Sequence, residues 1–218
     1  KAIIGHVLND MKSWRAQGID FHQVAINASP AEMRQTTFAD NLIEALETGG
    51  ISSKDIEIEI TEGVFLGANA DAARRSIYRI SDYGIPLALD DFGTVYASLS
   101  HLRNLPVSTI KVDRSFVSGI ASSNSDRAIV AAIVSMANAL GTRVVAEGIE
   151  NEAQEQILRD LGCPVGQGFY FGRPVPSHEV VPLIENWQKT RPPRSGQASV
   201  VDLQRHPARR ATRRGGRS

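Results

Sequence analysis

The chain has 218 residues, 42% of them hydrophobic, which supports one sizeable folded domain and excludes a disordered protein. Its formal net charge of 0 hides an asymmetry. From Thr190 onward eight arginines face one acid, Asp202, hence +7, so residues 1–189 carry −7. The single cysteine, Cys163, excludes an intrachain disulfide and fits a reducing cytoplasm. The longest apolar run, Ala128 to Leu140, is interrupted by Ser135 and Asn138 and is too short to span a bilayer. The chain opens without Met, inside a predicted helix, so a fragment of a longer protein is expected.

Taken in order, Ala2 to Gln17 places Ile3, Ile4, Val7, Leu8, Met11 and Trp14 at helical spacing, with Gly18 at the C-cap. Val24 to Ile26 reads as a buried strand closed by Asn27. Ser29-Pro30-Ala31-Glu32 is a capping box with Pro at the first helical position, and predicts a helix to about Thr48. Asp55 to Thr61 alternates acid with Ile56, Ile58 and Ile60, a strand ending near Glu59. A helix from about Asn69 ends at Gly84. Ile85 to Leu89 is an apolar strand that stops in Asp90 and Asp91. A short helix, about Ala97 to Arg103, leads to a strand over Thr109 to Asp113 carrying Lys111. Asp126 to Leu140 is amphipathic and ends at Gly141. Arg143 to Ala146 is a strand ending in Glu147, followed by a helix from Asn151 to Gly162. Pro164 to Gly168 is the last strand-like segment, and Ser177 to Lys189 can form a closing helix.

Strands alternating with helices imply an α/β fold with a parallel sheet. A doubly wound sheet gathers its polar residues at one switch point, whereas a (β/α)8 barrel draws them from many strand ends. Here Asn27, Glu59, Asp90 with Asp91, Lys111, Glu147 and Gln167 follow successive strands. This pattern predicts a TIM-type (β/α)8 barrel.

A lone Asp-Asp pair is more often a solvated turn than a site. Beside Asn27 and Glu59 at neighbouring strand ends, Asp90 and Asp91 form an oxygen-rich set that suits Mg2+ or Mn2+. Two metals with a nearby Lys suit in-line attack of water on a phosphodiester. Lys111 would add positive charge at the phosphate or the water, and Glu147 would serve as general base; a buried Lys–Glu pair is the alternative. The five His are scattered and are read as surface residues, Trp14 and Met136 as core.

Six stretches together resemble the EAL-domain family of cyclic-di-GMP phosphodiesterases. They are Val24 to Ser29 (VAINAS), Glu57 to Glu62 (EIEITE), Leu89 to Thr94 (LDDFGT), Leu105 to Phe116 (LPVSTIKVDRSF), Val144 to Glu150 (VVAEGIE) and Gln167 to Pro174 (QGFYFGRP). The resemblance covers roughly Ala2 to Trp187. It implies metal-dependent hydrolysis of cyclic di-GMP to linear pGpG in bacterial signalling, with two ions, Mg2+ or Mn2+. Asn27, Glu59, Asp90 and Asp91 match metal ligands, Lys111 the water-orienting residue and Glu147 the general base. Asp113, Glu150 and Gln167 match supporting site residues, and Glu62 the carboxylate that anchors the loop after the Asp pair. It further implies a cytoplasmic domain, with a homodimer and a membrane-anchored parent carrying GGDEF or sensory domains among the expected arrangements. No nucleic acid partner is expected.

Two departures stand out. The Glu-Ala-Leu signature strand is absent and belongs upstream of Lys1, so an EAL-type barrel incomplete at the N-terminus, inactive on its own, is expected. The family loop Gly-Thr-Gly-Tyr-Ser-Ser reads Gly93-Thr94-Val95-Tyr96-Ala97-Ser98 here, and Val resists a positive φ. The alternative function is a degenerate EAL domain that binds cyclic di-GMP or a protein without hydrolysis. Residues 1–189 are assigned to the partial domain, and the Arg-rich segment 190–218 to a disordered basic tail.

Overall fold

The structure, a computed structural model, describes residues 2–19, 21–66, 70–94, 105–190 and 201–202. Helix α1 (Ala2–Ala16) buries Leu8 and Met11, and the chain leaves it through Gly18 at φ +81. Strand β1 (Val24–Asn27) follows, then α2 (Pro30–Met33) and α3 (Phe38–Gly49). Next come β2 (Ile56–Thr61), α4 (Ala70–Asp82) and β3 (Leu87–Phe92). After them lie β4 (Thr109–Val112), α5 (Arg114–Gly119), α6 (Asn124–Leu140) and β5 (Arg143–Ala146). The described order ends with α7 (Glu152–Asp160), β6 (Val165–Gly166), α8 (Ser177–Thr190) and β7 (Val201–Asp202).

Strands β1 to β6 are all parallel, and each pairs with the next in sequence. There is no reversal of strand order among them, so the doubly wound alternative is excluded. The sheet is a curled, incomplete (β/α) barrel, as the successive polar strand ends predicted. At the β6 edge a two-residue antiparallel pairing joins Val165 to Asp202 and Gly166 to Val201.

Strand β2 shows how alternation builds this architecture. Ile56, Ile58 and Ile60 are fully buried and join Leu42, Leu46, Ile77 and Ile80 in one apolar core. The intervening acids, Glu57 and Glu59, take the opposite face, because successive side chains of a strand alternate. Both are also buried, so each needs partners. At the lower layer Glu57 Oε1 accepts a hydrogen bond from Thr109 Oγ1 at 2.7 Å and pairs with Arg143 Nη2 at 3.3 Å. The upper layer is the candidate site.

Two predicted boundaries need correction. The helix expected from Ser29 to Thr48 is two helices. The capping box at Ser29 and Glu32 forms, but α2 ends after one turn at Arg34. Arg34 Nη2 donates to the carbonyls of Gly63 and Leu66 at 3.2 and 2.7 Å, which ties the break to the segment after β2. Thr36 and Thr37, poor in helix interiors, occupy the turn. Helix α5 was not predicted; Asp113 caps it by accepting from Ser115 N at 2.9 Å. The helix expected over 97–103, and Val95, lie outside the described residues.

Trp14 and Met136 pack against the core as read. Trp14 Nε1 donates to Ser177 O at 3.0 Å and links α1 to the start of α8. His6, His22 and His178 are exposed, and His101 and His206 lie outside the described residues. Cys163 is fully buried, and burial pushes its thiol up to about 11, which suits a structural rather than reactive role. Among the described residues no helix is long and apolar enough to cross a membrane.

Candidate active site

The strand register sets the site. Asn27 lies beside Glu59, Glu59 beside Ala88, and Thr61 beside Asp90. Lys111 lies beside Val145, one pair below Val112 and Ala146. All these are C-terminal strand ends, where loops leave space and strand alternation points side chains inward.

Lys111 is the hub. Its side chain is 5% exposed, and Nζ lies 2.6 Å from Glu59 Oε1, 2.6 Å from Glu147 Oε1 and 3.2 Å from Asp90 Oδ1. One cation thus faces three carboxylates. Burial lowers the ammonium's proton affinity, but the charges of Glu147 and Glu59 outweigh it and hold Lys111 well above the usual lysine range. Glu147 and Glu59 experience the reverse balance. Burial pushes Glu147 up to about 7, because its share of Lys111 is opposed by Asp90 and Glu59. Glu59 is raised for the same reason, with burial as the largest cause. The two directions are consistent: each acid sees one cation and two anions, whereas the cation sees three anions.

Asp90 and Asp91 sit on an irregularity in β3, where the register to β4 shifts between Leu89 and Phe92. Asp91 adopts φ +53, the one positive φ of a non-glycine among the described residues. That conformation is costly outside glycine and is tolerated best by Asp and Asn. Asp90 Oδ1 accepts from Asp91 N at 3.1 Å and steadies the kink. As a result, both Asp side chains reach the site from one strand, and carboxylate oxygens of Asp90, Asp91 and Glu147 come within 4.8 Å of one another.

Asp91 also meets Asp113 through a carboxyl–carboxyl hydrogen bond. Burial and the nearby charges of Asp90 and Asp113 raise Asp91. Burial pushes Asp113 up too, but hydrogen bonds from Ser115 and Asp91 outweigh it and hold Asp113 below its usual value. Two carboxyls in contact need a proton or a cation between them. Surplus negative charge, oxygen donors and a proton-bridged acid pair fit a hard divalent cation.

Glu62 opens the short 3-10 turn after β2 (Glu62–Phe65). Its Oε1 accepts from Gly93 N at 3.3 Å, so it holds the start of the loop after the Asp pair. Burial raises its pKa, and Oε2 is buried with no hydrogen-bond partner among the described residues. Glu150, Gln167 and Glu147 line a cleft of about 200 Å³ beside the carboxylates. Asn27 is exposed at the end of the edge strand β1.

The structure therefore gathers Glu59, Asp90, Asp91, Lys111, Asp113 and Glu147 into one cluster. Glu62 supports it from behind, and Glu150 and Gln167 stand at its flank. Three residues at or beside the cleft escaped the sequence reading: Arg114, Phe169 and Arg173. Arg114 and Phe169 line the cleft, and the Arg173 guanidinium lies 4.6 Å from the Phe169 ring centroid. They fall within the quoted motifs, but nothing in their type separates them from ordinary surface residues.

Comparison with known proteins agrees with this geometry. A family model described as "EAL domain" matches residues 1–174. A curated relative from Pseudomonas aeruginosa, "Cyclic di-GMP phosphodiesterase NbdA", is 36% identical over 174 residues, which is 80% of this chain and 22% of that protein. A solved structure titled "PaMucR Phosphodiesterase, c-di-GMP complex" superposes with a TM-score of 0.76 at 34% identity, covering 82% of this chain and 72% of the other. A manganese/cy-diGMP complex of Klebsiella pneumoniae BlrP1 gives 0.71 at 32% identity, covering 78% and 43%. The chain spans about a quarter of the length of the curated relatives it matches, 26% in one and 22% in another.

Proposed function

The chain belongs to the EAL domain family, and we propose that it is the catalytic part of a metal-dependent phosphodiesterase that hydrolyses cyclic di-GMP to linear pGpG. The observation that carries this is the convergence of Asp90, Asp91 and Glu147 oxygens beside Lys111. Relatives named for this substrate support it.

In this reading Asn27, Glu59, Asp90 and Asp91 would hold two ions, Mg2+ or Mn2+, with Asp113 and Glu62 as supports. When bound, the ions supply a more acidic water and offset charge on the phosphate. Lys111 draws Glu59 and Glu147 to within 2.6 Å of its ammonium and so fixes both carboxylates. Glu147, pushed up to about 7, is matched to accept a proton from water near neutral pH. The hydroxide adds to phosphorus, the bond to the 3′ oxygen breaks, and that oxygen takes up the proton that Glu147 accepted. The product is a linear dinucleotide with a 5′ phosphate. Glu150 and Gln167 stand where they can contact the substrate.

The same reading places the domain in the cytoplasm, within a longer protein that can carry GGDEF or sensory domains, and as a homodimer. Residues 1–189 would be the domain part and 190–218 a basic tail.

The test is product analysis. A form of the domain that carries a Glu-Ala-Leu signature strand ahead of Lys1 is incubated with cyclic di-GMP and Mn2+, and the nucleotides are separated by chromatography. Metal-dependent appearance of pGpG is the expected result. Tight binding without any pGpG would favour a binding module instead.

A further inference from the structure

Strand β1 is an edge. Among the described strands it pairs only with β2, and Asn27 ends it, exposed beside Glu59. One backbone hydrogen bond extends the ladder past it, from Ala28 N to Glu59 O at 2.8 Å. A metal ligand on a strand held from one side needs a second support, because the groups around a ligand fix its position.

Helix α2 is placed to give that support. Its N-cap, Ser29, follows Asn27 by two residues and closes a capping box with Glu32. Met33, the last residue of the helix, is fully buried. Arg34, the C-cap, reaches across to the turn after β2, where Nη2 donates to Gly63 O at 3.2 Å and to Leu66 O at 2.7 Å. The turn and the helix are in near contact: a Cβ on Gly63 would lie 3.9 Å from Pro30 Cγ. One guanidinium thus joins the loop that follows Asn27 to the turn that opens with Glu62. Stability alone does not account for this arginine. Its Nε is buried with no hydrogen-bond partner among the described residues, and an unmet buried donor costs free energy.

We infer that Arg34 is a positioning residue for the metal site: by locking α2 to the turn after β2, it fixes where Asn27 presents its amide oxygen. The inference rests on the metal-dependent reading above. Asn27 is the neutral member of the proposed ligand set. A carboxylate is drawn to a cation by its charge, whereas the weaker dipole of an amide contributes only where it is held in place. Arg34 acts through Asn27 and is not itself a ligand.

A double-mutant cycle on the whole chain tests this, with Mn2+ binding followed through the EPR signal of the free ion. Arg34→Met and Asn27→Ala should each weaken Mn2+ binding about tenfold. The double variant should bind no more weakly than Asn27→Ala alone, because Arg34 then has no ligand to place. Arg15→Met breaks a 2.8 Å ion pair with Asp55, just ahead of β2, and should bind Mn2+ as wild type does. If Arg34→Met does not fold, Arg34→Gln takes its place in the cycle, with the same non-additivity expected. Wild type that binds no Mn2+ would overturn the metal-dependent reading together with this one. Wild type that binds Mn2+ leaves three results that overturn the positioning role alone. They are unchanged affinity in either single variant, additive losses in the double variant, and an equal loss in Arg15→Met.

Discussion

Lys111 Nζ lies 2.6 Å from Glu147 Oε1, across the boundary between β4 and the loop after β5. The same ammonium serves Glu59 and Asp90, so replacing it leaves three clustered carboxylates without that cation. Lys111→Met should cost roughly 3–5 kcal/mol of metal-free stability at pH 7.5. The deficit should shrink at pH 5, as the unpaired acids take up protons. Urea unfolding in EDTA at both pH values checks this. A deficit of equal size at the two pH values would mean that Lys111 acts through packing of its stem alone.

Glu147 predicts a pH dependence of definite sign. Its folded pKa of about 7 lies above the ordinary carboxylate value of 4.5, so the metal-free fold binds its proton more tightly than the unfolded chain does. Its contribution is fully present below the unfolded value and is lost as pH rises through about 7. Glu59 and Asp91 are raised as well and act in the same direction. Lys111, also raised, keeps its contribution until far more alkaline pH. Without metal, wild type should lose stability relative to Glu147→Gln between pH 5 and 8, because Gln mimics the protonated acid. Parallel melting curves of the two proteins across that range would remove Glu147 as the titrating group.

Glu147→Gln also separates chemistry from binding. The amide keeps the shape of the side chain but cannot take a proton. In an active form of the protein, kcat should fall by about 10²–10⁴ while substrate affinity is largely kept. Steady-state kinetics and binding titrations on the same preparation decide the point. Near wild-type kcat would exclude Glu147 as the base.

The lower layer of the barrel makes a contrasting case. Arg143→Met leaves Glu57, 8% exposed, with only its Thr109 hydrogen bond among the described residues. Stability should fall by about 1–3 kcal/mol. The melting shift produced by Mn2+ should be the same as in wild type, because this pair lies a layer below the site. A changed metal response would show that the two layers are coupled.

Much of this was legible in the sequence, for reasons that particular residues make plain. The acid–Ile alternation of β2 determines both the buried face and the inward position of Glu59. The polar residue ending each strand gave the barrel, because parallel neighbours bring successive strand ends together. Two features were not legible. The break at Arg34 depends on hydrogen bonds to the Gly63 and Leu66 carbonyls, contacts that no local pattern encodes. The Asp91–Asp113 contact depends on the β3 irregularity and a positive φ, and a regular strand would have turned Asp91 away from Asp90.

The most direct test of the account is the response of the Asp pair to metal. Melting curves of wild type, Asp90→Asn and Asp91→Asn are compared in EDTA and in Mn2+. In EDTA both variants should melt at or above wild type, because each removes one of several crowded like charges. Mn2+ should stabilise wild type strongly and both variants much less. Equal metal-induced shifts in all three proteins would contradict the account, since Asp90 and Asp91 would then not hold the metal.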